Sequence, residues 1–126
     1  MEPLNPALKI LAVDDNPSIR RSMHFIFTGP RYEVTDVENA DAALVKLDGN
    51  SDPYDVIIVD QKMPHVTGAE LVQEIRKRNI AGKIIVLSAH LSPEIRNTYE
   101  QMDVKVILEK PFNIDDLRSA LDHLAA

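Results

Sequence analysis

The sequence has no cysteine among its 126 residues, which excludes disulfide bonds, thiol catalysis and cysteine-based metal sites. That composition suits a reducing compartment such as the cytoplasm. No apolar run approaches the roughly 20 residues that a membrane-spanning helix needs. The segment from Met1 to Lys9 also lacks the charged start and apolar stretch of a signal peptide. We therefore expect a cytoplasmic protein that makes no membrane contact.

Basic residues are in the minority, with 14 Lys and Arg against 20 Asp and Glu and a net charge of -6. Such a surface repels the phosphate backbone of nucleic acids, so no direct nucleic-acid binding is expected. Hydrophobic residues make up 44% and charged residues 27%, which is ordinary for a folded domain and too apolar for a disordered chain. The length fits one domain with one core. We predict a tail over residues 1–8 and a single domain over residues 9–126.

Short apolar segments alternate with segments whose apolar residues recur at helical spacing. The predicted strands cover residues 9–13, 32–37, 56–59, 83–87 and 104–108. The predicted helices begin at the capping residues Asn16, Asn39, Thr67, Ser92 and Asn113. The third strand is continuously apolar, as expected where helices cover both faces, whereas the second alternates and is predicted near a sheet edge. The pattern predicts an α/β fold, a doubly wound five-stranded parallel sheet with five helices.

Polar residues stand where four of these predicted strands end. Asp14 and Asp15 follow the first strand, Asp60 the third, Ser88 the fourth and Lys110 the fifth. In an open parallel sheet, residues at the carboxyl ends of the strands converge on the ligand crevice. We therefore expect one crevice that holds three carboxylates, one hydroxyl and one ammonium group.

Three carboxylates in one crevice repel each other, which raises some of their pKa values unless a cation joins them. Mg²⁺ prefers oxygen ligands and typically bridges one or two carboxylates to a phosphate, so it is the predicted cofactor. A carboxylate can also attack phosphorus, giving an aspartyl phosphate whose charge is shared by the metal, Lys110 and the Ser88 hydroxyl. The residue set indicates phosphoryl transfer.

These residues resemble the response regulator receiver family of bacterial two-component signalling over about Lys9 to Leu124. The resemblance rests on Asp14-Asp15, Asp60, Met63-Pro64, Gly68, Ser88-Ala89 and Lys110-Pro111-Phe112. It implies the flavodoxin-like strand order 2-1-3-4-5 and a cis peptide between Lys110 and Pro111. It also implies that Asp60 is the phosphoacceptor and that Asp14 and Asp15 help Asp60 to hold Mg²⁺. Ser88 is then the switching hydroxyl, and Lys110 pairs with the phosphoryl group.

A receiver takes its phosphoryl group from a histidine kinase or a phosphotransfer protein and changes its affinity for a downstream protein or a fused output domain. The resemblance thus implies a switch with self-catalysed phosphorylation and dephosphorylation, not a metabolic enzyme. A phosphorylation-dependent dimer is a further expectation. Two arrangements fit the sequence: the chain stands alone as a regulator, or it was cut from a longer protein.

Other functions fit the sequence less well. A flavin-binding electron carrier needs a hydroxyl- and glycine-rich loop after the first strand, where this chain has Asp14-Asp15-Asn16-Pro17. An aspartate-nucleophile phosphatase usually has Asp-x-Asp there, whereas these aspartates are adjacent. The remaining alternative is a pseudo-receiver, a protein-binding module of the same fold that takes no phosphoryl group. The four His residues share no metal-ligand spacing, and the aromatic residues are predicted to be packing groups. The run Arg76-Lys77-Arg78 is predicted to be a solvated helix end.

Three positions depart from the pattern of many family members. Ile107 stands three residues before Lys110, where an aromatic ring often turns inward during switching. We therefore predict a change centred on the loop from Ser88 to Pro93 and the helix after it. Lys62 and His90 should border the path of the hydrolytic water, which predicts slow loss of the phosphoryl group.

Overall fold

Five strands and five helices alternate along residues 7–49 and 53–125, which are the residues that the computed structural model describes. The strands are β1 (Leu8–Val13), β2 (Tyr32–Val37), β3 (Val56–Asp60), β4 (Lys83–Ser88) and β5 (Val106–Glu109). The helices are α1 (Pro17–Ile26), α2 (Ala40–Asp48), α3 (Gly68–Lys77), α4 (Pro93–Gln101) and α5 (Ile114–Ala125). The strands pair in parallel in the order β2-β1-β3-β4-β5, which confirms the predicted flavodoxin-like fold.

The helices begin at the predicted capping residues. The Asn16 side chain accepts a hydrogen bond from the backbone of Ser18, and Thr67 forms a reciprocal capping box with Glu70. These caps start each helix directly after a strand or a short loop. Within the described ranges, none of the helices has both the length and the apolar character needed to cross a membrane.

Two apolar clusters cover the two faces of the sheet. On one face, α1 and α5 pack against alternate residues of the strands: Ile10, Ala12, Ile58, Ile85 and Leu87. On the other face, α2, α3 and α4 pack against Leu11, Val13, Ile57, Val59, Ile84 and Val86. Because β1 and β3 are buried on both faces, the aspartates that follow or end them lie at the edge of the core.

Two strands begin at residues other than those predicted, and β3, β4 and β5 each end one residue later than predicted. Leu8, the last residue of the predicted tail, begins β1, and residues 1–6 lie outside the described residues. The fifth strand begins at Val106 instead of Val104. Val104 is buried, but its backbone N–H donates to the Tyr99 carbonyl at 3.1 Å and so closes the end of α4. Its apolar character therefore reflects core packing and not strand pairing, which starts at Val106 opposite Ile85.

Candidate functional site

The carboxyl ends of β1 and β3 bring three aspartates together. One carboxylate oxygen each of Asp14, Asp15 and Asp60 lies within 4.8 Å of the others. The neighbouring strands pair Val13 with Val59, so the residues that follow these two positions adjoin. Asp14 and Asp60 are buried, at 3% and 4% exposure, whereas Asp15 is exposed. The cluster is thus an acidic pocket that opens to solvent on the Asp15 side.

Lys110 supplies a cation to this pocket. Its Nζ lies 2.9 Å from Asp60 Oδ1 and 3.9 Å from Asp14 Oδ2. The Lys110 backbone N–H donates to the Ser88 carbonyl at 2.7 Å, which ties the end of β5 to the end of β4. The peptide bond to Pro111 is cis, as predicted. One ammonium group among three carboxylates leaves the pocket with an excess of negative charge.

Asp14 is the most constrained of the three acids. Burial raises the pKa of its carboxyl group, a hydrogen bond from the Asn16 backbone lowers it, and the negative charge of Asp60 raises it again, for a net upward shift. Asp14 Oδ2 is the one buried side-chain nitrogen or oxygen in the described part of the chain that lacks a hydrogen-bond partner. Such an orphaned oxygen beside two other carboxylates fits a hard divalent cation such as Mg²⁺.

Ser88 stands at the end of β4, 1% exposed, as its place in the sequence predicts. Its Oγ donates to the His90 carbonyl at 2.9 Å and accepts from the His90 backbone N–H at 3.2 Å. The hydroxyl is therefore engaged within the β4–α4 loop. Of the five predicted site residues, Asp14, Asp15, Asp60 and Lys110 form one cluster, and Ser88 is linked to them through its carbonyl bond to Lys110.

The sequence profile of the response regulator receiver domain matches residues 10–122. The chain belongs to this family. Receiver domains of two-component response regulators accept phosphoryl groups, and the pseudo-receiver alternative is not favoured.

Solved structures and curated relatives agree with this assignment. Chemotaxis protein CheY4 of Vibrio cholerae is 33% identical with a TM-score of 0.85, over 95% of this chain and 99% of CheY4. TrrA of Thermotoga maritima, solved in complex with Mg²⁺-BeF, is 34% identical with a TM-score of 0.78, over 92% of this chain and 97% of TrrA. The transcriptional regulatory protein ResD of Bacillus subtilis is 39% identical over 82 residues, which are 64% of this chain and 32% of ResD. The matched segment thus spans about a third of ResD.

The β3–α3 loop of this receiver packs tightly against the end of β3 at Gly68. The Gly68 backbone N–H donates to the Gln61 carbonyl at 2.8 Å. A Cβ atom at Gly68 would lie 2.7 Å from the Asp60 carbonyl oxygen and 2.9 Å from both Gln61 Cα and the Tyr99 hydroxyl. Glycine is required here because the loop leaves no room for a side chain.

We predict that Gly68→Ala destabilises the receiver by about 1–3 kcal/mol, the usual cost of forcing atoms into a filled space. Urea denaturation would measure the change. Gly49→Ala is the control, since a Cβ there meets one atom, the Val45 carbonyl oxygen at 3.2 Å, in a helical backbone conformation. An Ala variant at position 68 that is as stable as its control would contradict this account of the loop.

Tyr99 makes a polar contact near the site, and the sequence did not predict this contact. The spacing of α4 predicts an inward-facing packing group, and the ring is indeed fully buried. Its hydroxyl donates to Gln61 Oε1, on the residue after Asp60. The sequence offers only a general indication of this contact, because a buried tyrosine usually needs a hydrogen-bond partner for its hydroxyl. Among the described residues, the His side chains take no part in the acidic cluster.

Proposed function

We propose that this receiver is a signalling switch that accepts a phosphoryl group on the Asp60 carboxylate. One observation carries the proposal: Asp60 is buried at the end of β3, with Lys110 Nζ 2.9 Å from its Oδ1 and two further carboxylates within reach of a shared cation. A structural ion pair between Lys110 and Asp60 does not by itself require two further carboxylates beside Asp60. This arrangement supports a site that binds a divalent metal ion and, beside it, the negatively charged oxygens of a phosphoryl group.

The proposed reaction is a displacement at phosphorus. A carboxylate oxygen of Asp60 attacks, the bond from phosphorus to the donor's histidine nitrogen breaks, and that nitrogen keeps the electron pair. The Lys110 ammonium lies where it offsets negative charge on the phosphoryl oxygens. The receiver thus assists its own phosphorylation and dephosphorylation without acting on a metabolite.

Asp14, Asp15 and Asp60 would hold Mg²⁺ in this proposal. The orphaned Asp14 oxygen and the excess of negative charge support this assignment. Bound Mg²⁺ would neutralise charge on the phosphoryl oxygens. TrrA, the relative solved with Mg²⁺-BeF, supports the same choice of metal.

Ser88 is the proposed switching hydroxyl. Its bonds to His90 hold the β4–α4 loop in the unphosphorylated state. A phosphoryl oxygen on Asp60 offers Ser88 Oγ a charged acceptor, and charge-assisted hydrogen bonds are stronger than neutral ones. We propose that Ser88 then leaves the His90 carbonyl and that the loop and α4 shift with it.

Labelling with acetyl phosphate tests the proposal directly. We expect the chain to gain one phosphoryl group by intact mass in Mg²⁺ and none after chelation with EDTA. The adduct should be released by hydroxylamine, as expected of an acyl phosphate. A chain that takes up no phosphoryl group in Mg²⁺ would instead be a pseudo-receiver.

A histidine kinase or a phosphotransfer protein is the proposed donor, and an exposed apolar face beside the site supports a protein partner. Phe25 is 81% exposed and Ile114 is 50% exposed. Both line an open groove of about 600 Å³ between α1 and the β5–α5 loop, and Lys110 also lines it. We propose that the donor docks on this groove and reaches Asp60 beside Lys110, which lines the groove and contacts Asp60.

We predict that Phe25→Ser slows labelling by a purified phosphotransfer protein and leaves acetyl phosphate labelling unchanged; equal rates from the protein donor would contradict this docking site.

We also propose a source, a cellular compartment and an output for this receiver. CheY4 and ResD come from bacteria, which supports a bacterial source, and we propose a cytoplasmic location. The output is a separate downstream protein or a fused domain, with dimerisation on phosphorylation as a further proposal. Cell fractionation and the size of the endogenous protein would test these points.

We predict a slow loss of the phosphoryl group. Lys62 and His90 are both exposed beside the site, and neither carries an acid or an amide that could align a water. Lys62 can lie across the phosphoryl group and occupy the space of the attacking water. Lys62→Asn should therefore shorten the lifetime of the phosphorylated form in Mg²⁺, and His90→Glu should shorten it less. Decay would be followed by mass after the donor is removed. An unchanged or longer lifetime in the Lys62 variant would rule out this explanation.

A further inference from the structure

Tyr99 joins α4 to the residue that follows the phosphoacceptor. Its ring is 0% exposed, and its hydroxyl donates to Gln61 Oε1. Gln61 is itself fixed by its backbone, whose N–H donates to the Leu87 carbonyl at 2.8 Å and whose carbonyl accepts from Gly68 at 2.8 Å. The tyrosine hydroxyl thus contacts a residue that is attached to β4 and α3 and is bonded covalently to Asp60.

The Tyr99 hydroxyl also lies close to the Asp60 backbone. A Cβ atom added at Gly68 would lie 2.7 Å from the Asp60 carbonyl oxygen and 2.9 Å from the Tyr99 hydroxyl oxygen. These two oxygens therefore line the same small space beside Gly68. Burial, and then the negative charge of Asp60, raise the pKa of the Tyr99 phenol well above its ordinary value. The hydroxyl therefore remains protonated and acts as a donor.

Tyr99 is the buried anchor of α4. It is the one buried residue of this helix, while Ile95 is only half-buried. The Tyr99 carbonyl accepts from the backbone N–H groups of Met102 at 3.0 Å and Val104 at 3.1 Å, which fixes the passage from α4 to β5. An element held by few buried contacts moves more easily than the core strands. The position of α4 therefore depends strongly on what Tyr99 contacts.

We propose that Tyr99 is a positioning residue that couples the phosphorylation state of Asp60 to the position of α4 through its hydrogen bond to Gln61. The inference rests on the proposed function. A phosphoryl group on Asp60 adds bulk and charge beside Gln61, which favours an arrangement in which the Tyr99 bond is weakened and α4 is released. Ile107 packs in the same cluster as Tyr99 and has no ring to rotate. In this chain the aromatic contact that responds to the site is on α4.

Tyrosine fluorescence provides the first test, because the sequence has three Tyr and no Trp. The full chain would be titrated with beryllofluoride in Mg²⁺ as a stand-in for the phosphoryl group. We expect a change in emission in the wild type, and also in the control variants Tyr32→Phe and Tyr54→Phe. Tyr99→Phe should lose this change. A change that persists in Tyr99→Phe would overturn the proposal.

Amide chemical shifts provide the second test and separate coupling from simple packing. In Tyr99→Phe, the beryllofluoride-induced shifts around Asp60 and Ser88 should persist, which shows that the site still binds. The shifts across Pro93–Gln101 should shrink about twofold or more, because one hydrogen bond to a buried group can change a two-state equilibrium by that factor. A purely structural role would lower stability and leave these α4 shifts undiminished, which would overturn the proposal.

Gln61→Met keeps the inference testable if Tyr99→Phe folds poorly. Removing the acceptor should reduce the α4 shifts as removing the donor does, and the double variant should lose no more than either single variant. Undiminished α4 shifts in Gln61→Met would also overturn the proposal. A wild-type chain that does not respond to beryllofluoride would overturn the proposed function together with this inference. A response in the wild type that both variants retain would overturn this inference alone.

Discussion

Asp60→Asn is expected to abolish labelling by acetyl phosphate in Mg²⁺. An amide oxygen is a much poorer nucleophile than a carboxylate oxygen, and the substitution also removes the anion that Lys110 contacts. We do not expect the neighbouring acids to replace it, because Asp14 is buried with a raised pKa and both Asp14 and Asp15 are proposed Mg²⁺ ligands. Intact mass after incubation with excess donor measures the stoichiometry.

Asp55→Asn is the matched control for this experiment. Asp55 immediately precedes β3, at the end of the strand opposite Asp60, and its exposed carboxylate accepts a hydrogen bond from the Lys9 backbone at 2.8 Å. The substitution is chemically the same and lies next to the other end of the same strand, so labelling should match the wild type. Stoichiometric labelling of Asp60→Asn would place the acceptor at another residue. Loss of labelling in both variants would point to damage to the fold.

The parts of the site that the sequence could predict depend on the backbone alone. Asp60 and Lys110 each end or follow an apolar segment, and a parallel sheet places all such positions at one edge. The helix caps are similarly local, since Asn16 and Thr67 bond to backbone groups within three residues of themselves. The order of strands and helices along the chain is therefore enough to predict which strand-end residues lie close together, without any detail of side-chain packing.

The remaining features depend on partners that only the folded chain provides. The Ser88 hydroxyl was predicted to face the phosphoryl group, but without one it bonds to the His90 carbonyl. Arg76 was predicted to be part of a solvated helix end, and this was wrong. Its guanidinium is half-buried and donates to the Met102 carbonyl at 3.0 Å and the Asp103 carbonyl at 3.3 Å. The hydroxyl contact of Tyr99 was missed for the same reason, because a periodic pattern gives the direction of a side chain and not its polar partner.

Asp14→Asn is expected to stabilise the receiver when no divalent metal is present. The Asp14 pKa is raised in the folded state, chiefly by burial, so its ionised form is less favourable there than in the unfolded chain. The neutral amide removes this cost and the repulsion from Asp60. A gain on the order of 1 kcal/mol in the free energy of unfolding is expected at neutral pH with EDTA, as for relief of an unsatisfied buried group.

The pH dependence of this gain has a definite sign. A raised folded pKa means that the native state binds more protons than the unfolded state between the two pKa values, so this group lowers stability as the pH rises through that window. The advantage of Asp14→Asn over the wild type should therefore be full at neutral pH. It should shrink as the pH falls through the raised pKa of Asp14 towards about 3.9, the ordinary value of an aspartate. A constant difference across this range would exclude Asp14 as the source.

In Mg²⁺ the wild type should become more stable than Asp14→Asn, the reverse of the order expected in EDTA. A ligand that binds only the folded state stabilises it by about 2.7 kcal/mol at a concentration 100-fold above its dissociation constant. The free energy of unfolding of the wild type, measured with urea, should rise by about this amount, whereas that of Asp14→Asn should rise much less, because the variant has lost a buried ligand oxygen.

Asp15→Asn is the control that separates loss of metal binding from relief of the buried charge. Its carboxylate is exposed, so it should lose part of the Mg²⁺ gain and show little change in EDTA. An Asp14→Asn variant that gains as much from Mg²⁺ as the wild type would remove Asp14 from the metal site, whatever its effect on stability in EDTA.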